Sequence, residues 1–413
     1  MTQQDPPSRF SRSLGLGGAL TVGVSAMVGT GVFAVWGPAL ESAGGWLLAS
    51  VLIASMVAAL NATSTARLAS RFPEAGGVYA YGRIQLSRFA GVVAGVVFII
   101  GKTASASAAA LTIGLYLWPE RSRLVALSAI VLVLLLNLRG IVRSTRVAAV
   151  MVSIVGVILM TFVITSGVTL LERPVIIGAS LPASGPIGVL AAAGLIFVAF
   201  AGYARITVLG EEVTEPRRNI PRAIAGSFVL VSVGYVAIAA VVLLAALDAV
   251  VIEPAALLDL AQALGPSWMG PAVVFAAVLA AGSVLLTLIA GVGRTVFAMA
   301  ARGDAPRMFA TVGRRTRIPI RAEVASAVGA GALVAMGGLT LALAISATMI
   351  LLYYSISHVA AARLRPDSRS DSRSDSRSGP RIGNRLLQMT PFAGLAGCLL
   401  LVGALFVDRG MGG

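Results

Sequence analysis

Gly23-Val24-Ser25-Ala26-Met27-Val28-Gly29-Thr30-Gly31-Val32-Phe33 lies inside a run with no charged residue from Ser13 to Leu40. About 20 apolar helical residues cross a bilayer core, so the run is long enough to span. It is nonetheless a poor continuous helix. Three glycines, a serine and a threonine crowd these positions, and each interior glycine costs a helix roughly 1 kcal/mol relative to alanine. Non-helical backbone at membrane depth persists only where protein buries it or where it lines a cavity. The stretch therefore predicts a helix that breaks near Val28–Gly31 and offers its freed N–H and C=O groups to a ligand. The competing reading is an unbroken helix whose small residues let a neighbour approach.

Composition agrees with a membrane setting. The 413-residue chain is 57% hydrophobic and only 12% charged, with a mean hydropathy of +0.92, outside the range of water-soluble domains. Its one cysteine, Cys398, reads as a packing thiol, since no second cysteine exists to pair with it. Met1 to Arg12 is polar, contains prolines and lacks the pattern of a cleaved signal, so the first span is expected to direct insertion. The net charge of +15 would suit nucleic acid if it were clustered on one surface, but it is distributed by side. With the N-terminus cytoplasmic, 26 of the 32 basic residues fall in cytoplasmic segments. Only Arg121, Arg123, Arg173 and Arg409 fall outside, and Lys102 and Arg205 lie within spans. This is the positive-inside bias of a plasma-membrane protein and excludes a nucleic-acid footprint.

The charge-poor runs predict eleven spans. After the first come Ala43–Ala66, Phe89–Pro119, the short Leu124–Leu138, and Val147–Leu171. A sixth lies between Pro186 and Leu209, then Ala223–Leu247 and Trp268–Ala300. Val324 to Ala362 holds 39 residues without formal charge. As one helix it would reach about 58 Å, roughly twice the hydrocarbon thickness, so it must fold back, with Gly337-Gly338 as the natural turn. Leu386–Val407 is the eleventh span, which leaves the C-terminus outside. Residues 367–383, built on three Asp-Ser-Arg-Ser units, bury nothing and are expected to form a disordered cytoplasmic linker.

The sixth span repeats the anomaly of the first. Phe197-Val198-Ala199-Phe200-Ala201-Gly202-Tyr203-Ala204-Arg205 sets a glycine, aromatics and an arginine in mid-span. Two interrupted helices five spans apart run in opposite directions, as inverted repeats require. The predicted fold is an all-α integral membrane bundle of 5+5 inverted repeats, residues 1–171 and 186–362, plus one extra C-terminal span. In that architecture substrate sits near the midplane between the breaks. Half-helix N-termini face an anionic group, and unwound carbonyls receive a cation or ammonium. A zwitterionic amino acid matches both poles.

Four ordered segments carry a family resemblance. They are Ser25–Phe33, Pro73-Glu74-Ala75-Gly76-Gly77-Val78-Tyr79, Phe200–Tyr203 with Glu211-Glu212-Val213-Thr214-Glu215-Pro216, and Arg294-Thr295-Val296-Phe297-Ala298-Met299-Ala300 with the later Pro306. As a set the sequence resembles the amino acid–polyamine–organocation (APC) transporters, with the fold named after the leucine transporter. The resemblance implies a substrate carboxylate at the N–H groups of Gly29, Thr30 and Gly31. It implies an amine at carbonyls near Ser25, Ala26 and Met27, and near Val198, Ala199 and Ala201. Gly202 would mark the second break, and Phe200 and Tyr203 would flank the substrate or close an outer gate. Three features depart from the family's pattern. Ala204 and Arg205 stand where many members carry an acid, Arg302-Gly303-Asp304 replaces an expected Arg-Asp-Gly, and a twelfth span is missing. The first departure counts against a cationic substrate.

Lys102, the only lysine, sits mid-span, where a charge costs on the order of 3 kcal/mol, and a buried lysine can lose its proton. It either replaces a sodium ion beside the first break and titrates during transport, or is pinned to a neighbouring helix. Relatives thought to use such a lysine carry it on span five, which has none here. Arg205 either faces substrate or reaches toward the cytoplasmic face and pairs with Glu212, seven residues on and on the same helical face. Ser283 and Thr287 could offer hydroxyls to a cation, or serve as helix contacts. His358 has no acid or thiol at ligand spacing, so neither a metal nor another cofactor is expected. The leading expectation is a secondary carrier of neutral amino acids, proton-coupled or exchanging. The alternatives are a carrier of another small amine or an acidic amino acid, and a membrane-embedded enzyme. No span holds a carboxylate for enzyme chemistry, and no phosphate-binding G-x-x-x-x-G-K-[ST] loop is present.

Overall fold

The computed structural model describes residues 15–72, 77–140, 145–173, 181, 184–203, 213–248, 250, 252, 254–313, 318–364 and 382–410. Among them the regular structure is helical. The first span is α1 (Leu16–Met27), α2 (Gly31–Ala34) and α3 (Trp36–Ala43). Next come α4 (Leu47–Arg71), α5 (Gly77–Gln85), α6 (Arg88–Leu117), α7 (Ser122–Leu138) and α8 (Thr145–Glu172). The second half holds α9 (Pro186–Phe200), α10 (Pro216–Leu247), α11 (Ala256–Leu264) and α12 (Met269–Ala301). It continues with α13 (Ile320–Met336), α14 (Leu339–Ala362) and α15 (Ile382–Gly410).

Ten segments are long and apolar enough to cross a membrane. The predicted ninth span is the exception. It forms α13, which has 17 residues and reaches about 26 Å, just short of the hydrocarbon thickness. The fold-back at Gly337-Gly338 is present as two extended residues between α13 and α14. The short helices α5 and α11 are not legible as apolar runs. The predicted linker 367–383 lies outside the described residues except for Ile382 and Gly383, which already belong to α15.

A single large core forms where α1–α4, α6, α9, α10, α12 and α14 meet, and alanines dominate it. Ala191, Ala192 and Ala193 on α9 are fully buried, as are Ala276, Ala277 and Ala281 on α12. Small side chains let helix backbones approach closely where lipid supplies no hydrophobic drive for association. Serine hydroxyls stitch the same interfaces. Ser105 meets Ser346 at 2.6 Å between α6 and α14, and Ser107 donates to the Ala330 carbonyl at 3.0 Å between α6 and α13. The tightly packed centre brings the interrupted first span against the end of α9.

Candidate functional site

The first span comes apart where the sequence predicts. The last turn of α1 closes with Val28 N–H on the Val24 carbonyl, and Gly29 N–H then turns back to the Met27 carbonyl at 2.8 Å. Val28, at φ −76° and ψ 73°, is the centre of an inverse γ-turn. Helix resumes with Phe33 and Ala34 donating to the Thr30 carbonyl. The N–H groups of Thr30, Gly31 and Val32 have no backbone acceptor among the described residues. A helix start leaves such donors free by construction.

The sixth span meets this break directly. α9 ends at Phe200 and tightens into a 3₁₀ turn over Ala201–Tyr203. A β-carbon on Gly31 would stand 2.5 Å from the Ala199 Cα. One on Gly202 would meet the Ala26 carbonyl, and would lie 2.7 Å from the Met27 nitrogen. Both glycines are therefore contact points between two backbones. Tyr235 of α10 joins the spans: its buried hydroxyl lies 2.9 Å from the Met27 carbonyl and 3.3 Å from the Ala199 carbonyl. One O–H can serve either acceptor. Beyond the break, Tyr116 of α6 donates to the Phe33 carbonyl at 2.9 Å, and the Trp36 indole to the Val32 carbonyl at 2.7 Å.

The remaining candidates fall at different distances from this junction. Ser25 donates within its own helix to Val22, whereas the buried Thr30 hydroxyl has no partner among the described residues. Val198 is half-buried against the core. Phe200 stacks on Phe228 and meets Tyr235 edge-on, and Tyr203 is buried against Tyr354 at 5.6 Å between ring centres. Gly29 is backed by α12, for a β-carbon there would stand 2.6 Å from Val284. Val284 lies beside the predicted Ser283, and Thr287 spends its hydroxyl on the carbonyls of Ser283 and Val284.

Lys102 is half-buried on α6, next to Gly101, which packs on Met349 and Ile350 of α14. Contact between α6 and the unwound span is made instead by Tyr116, about four turns further along. Arg205 lies outside the described residues. Among the described residues no group of three His, Cys, Asp or Glu side chains could hold a metal.

Sequence reasoning missed Tyr235, Tyr116 and Val284. Tyr235 is the one tyrosine in its span, and Tyr116 the one in its own. A lone phenol in an apolar helix was the available signal.

The departed Arg302-Gly303-Asp304 segment has a structural role. Gly303, at φ 75°, ends α12, with its N–H on Ala300 and that of Asp304 on Met299, a glycine-terminated helix end. The turn delivers Asp304 to α5 and α6. There its carboxylate accepts from Tyr79 at 2.7 Å, from Arg83, and from Arg88 at 2.9 Å. Burial pushes this carboxyl up, but the bonds from Tyr79, Arg88 and Arg83 outweigh it and hold it below its ordinary value. Burial, with the neighbouring Asp304 carboxylate, raises the Tyr79 phenol.

Comparison with known proteins gives a consistent family. A family model described as amino acid permease matches residues 14–412. An uncharacterized transporter of Mycobacterium tuberculosis is 38% identical over 97% of this chain and 88% of its own length. A vacuolar cationic amino acid transporter of Arabidopsis thaliana is 27% identical over 81% of this chain and 60% of its own length. A branched-chain amino acid permease of Bacillus subtilis is 27% identical over 75% of this chain and 71% of its own length. With its glycine-interrupted first span packed on the end of its sixth inside an alanine-rich bundle, the chain belongs to the amino acid permease family of the APC superfamily.

Proposed function

We propose that the protein is a secondary active transporter that moves neutral amino acids across the cell membrane by alternating access, coupled to protons or by exchange. One observation carries this reading: the interrupted first span faces the end of the sixth through Gly31 and Gly202, with backbone groups freed between them. The donors of Thr30, Gly31 and Val32 suit a carboxylate, because a helix start favours negative charge. The carbonyls around Ala26, Met27 and Ala199 suit an ammonium, and the Tyr235 hydroxyl would yield one of them as substrate enters. On this reading residues 1–171 and 186–362 are inverted repeats that move against each other, with the N-terminus cytoplasmic and the C-terminus outside. The break supports alternation in a second way. Residues before it, Val24 to Ala26 and Val28, are half-buried, whereas Thr30 to Trp36 are fully buried, so the two sides of the site are sealed unequally.

A neutral substrate is favoured because the groups touching the break are backbone, alanine, valine and aromatic. A cationic substrate is the second reading, favoured by the likeness to cationic amino acid transporters of Arabidopsis thaliana. It would need a carboxylate at the site, and Asp259 of α11 lies near the Tyr116 phenol that donates to the Phe33 carbonyl beyond the break. Counterflow in proteoliposomes loaded with unlabelled alanine, leucine, arginine or glutamate separates the readings. Saturable exchange of alanine or leucine supports the proposal, and exchange of arginine alone replaces it with the second. Failure of all common amino acids to exchange would remove the carrier reading.

A further inference from the structure

A buried polar file outside the substrate junction ends at His358, the only histidine in the chain. Its imidazole is 1% exposed on α14 and lies flat on Gly394 of α15, where any side chain would displace it. Both ring nitrogens are engaged. Nδ1 lies 2.9 Å from the Ser64 hydroxyl, and Nε2 bonds the Asn61 side-chain oxygen, both on α4. The same Asn61 oxygen accepts from the Cys398 thiol at 3.3 Å, while the Asn61 amide nitrogen is buried without a partner among the described residues. One turn back from His358, Tyr354 stacks on Tyr203, the residue that ends the described part of the sixth span. The Tyr203 hydroxyl is buried beside Tyr354. Ser355, beside Tyr354, donates to the Leu351 carbonyl of its own helix. Buried phenol, thiol, amide and imidazole groups thus gather between the end of α9 and His358.

We propose that His358 is the residue that takes up and releases the coupled proton, with Ser64 and Asn61 as its cradle and the Tyr354–Tyr203 pair as its link to the sixth-span break. The inference rests on the carrier reading above and names its coupling residue. Ionisable side chains within membrane bundles are expensive to keep and usually serve function. Imidazole is the side chain whose ordinary titration falls near neutral pH. The cradle accepts both charge states. In the neutral ring Nε2–H donates to Asn61 and Nδ1 accepts from Ser64. The added proton binds Nδ1, and the Ser64 hydroxyl turns to accept it, sending its own hydrogen to a carbonyl one turn back, as helical serines do. The proton comes from water and returns to it from the same nitrogen, and the Ser64 hydroxyl then turns back to donate to Nδ1. Among the described residues the surrounding elements bring few competing charges. Cys398 reaches Asn61 from α15, Tyr81 packs near Ala360 and Ala361 from α5, and Tyr203 follows α9. Arg67 lies one turn beyond Ser64 on α4, Arg363 follows on α14 itself, and Lys102 on α6 stands about two turns back, at the height of Ile350.

The test uses full-length protein purified without a histidine tag. Histidine labelled with nitrogen-15 then gives one imidazole signal, since the chain has one histidine. It should convert from the neutral to the doubly protonated form over the pH range in which uptake changes, and a ring fixed in one form across that range overturns the proposal. In parallel, wild type and His358→Gln are placed in proteoliposomes with alanine, leucine and arginine. The variant should keep counterflow but lose accumulation driven by a pH gradient, and its uptake should lose its pH dependence. Wild-type pH-driven accumulation in His358→Gln also overturns the proposal. Wild-type counterflow indifferent to pH would sink the proton link alone. Absence of wild-type counterflow would sink the carrier reading itself.

Discussion

Substitution of Gly31 by alanine tests the central geometry most directly. The change keeps the Gly31 N–H and adds a single methyl group, so no hydrogen-bonding group is lost. That methyl carbon would stand 2.5 Å from the Ala199 Cα, 2.6 Å from its Cβ and 3.1 Å from its nitrogen. Carbon atoms rest at about 3.5–4.0 Å, so the two spans must separate by about 1 Å. The obstacle is backbone and an alanine methyl, and no rotamer change can relieve it. Overpacking of this kind costs about 1–3 kcal/mol. If the penalty falls on the substrate-bound arrangement, affinity drops about fivefold to 150-fold, since 1.4 kcal/mol is a factor of ten. The assay is uptake of labelled amino acid by proteoliposomes, normalised to reconstituted protein, over a concentration series. Gly234→Ala is the control, because nothing lies within 4 Å of a β-carbon there, and it should behave as wild type. Wild-type half-saturation and maximal rate in Gly31→Ala would refute the claim that the first and sixth spans hold substrate through their backbone contact.

Other substitutions probe the parts around that junction. Tyr235→Phe keeps the ring contacts with Trp36 and Phe200 but leaves the Met27 or Ala199 carbonyl unmatched. It should lower stability by about 1–3 kcal/mol and raise the half-saturation concentration, read by thermal unfolding in detergent and by uptake. Asp304→Asn should free the end of α12 from α5 and α6 and lower the unfolding temperature at every pH above the ordinary carboxylate range. In wild type the carboxyl is held below its ordinary value. Its stabilisation is therefore fully present above the unfolded-state value of about 4 and is lost as pH falls through the lower folded-state value. A wild-type-minus-variant difference in unfolding temperature that declines already between pH 8 and 6 would contradict this. Lys102→Met should alter the pH profile of uptake if the ammonium titrates in the cycle. An unchanged profile assigns that lysine to a structural role against a neighbouring helix.

How much of this was legible depended on what each feature costs in lipid. The break at Val28–Gly31 was readable because glycine and hydroxyl residues carry a helix penalty that an apolar span has no other reason to accept. The Gly337-Gly338 turn was readable because 39 uncharged residues cannot fit one crossing. The span count was nearly readable, and α13 fell short because the turn at Gly337 ends it after 17 residues. The site's partners were harder to see. Tyr235 looks like one more apolar residue until its hydroxyl is found between two carbonyls, since its polarity resides in a single atom. His358 was read for metal ligands within its own neighbourhood in sequence. Its partners, Ser64 and Asn61, come instead from the second span, and Cys398 reaches Asn61 from the last. A chain whose binding groups are backbone atoms writes its site as an absence of side chains. Glycine spacing therefore reveals where the helices open, and only packing reveals which hydroxyl closes them.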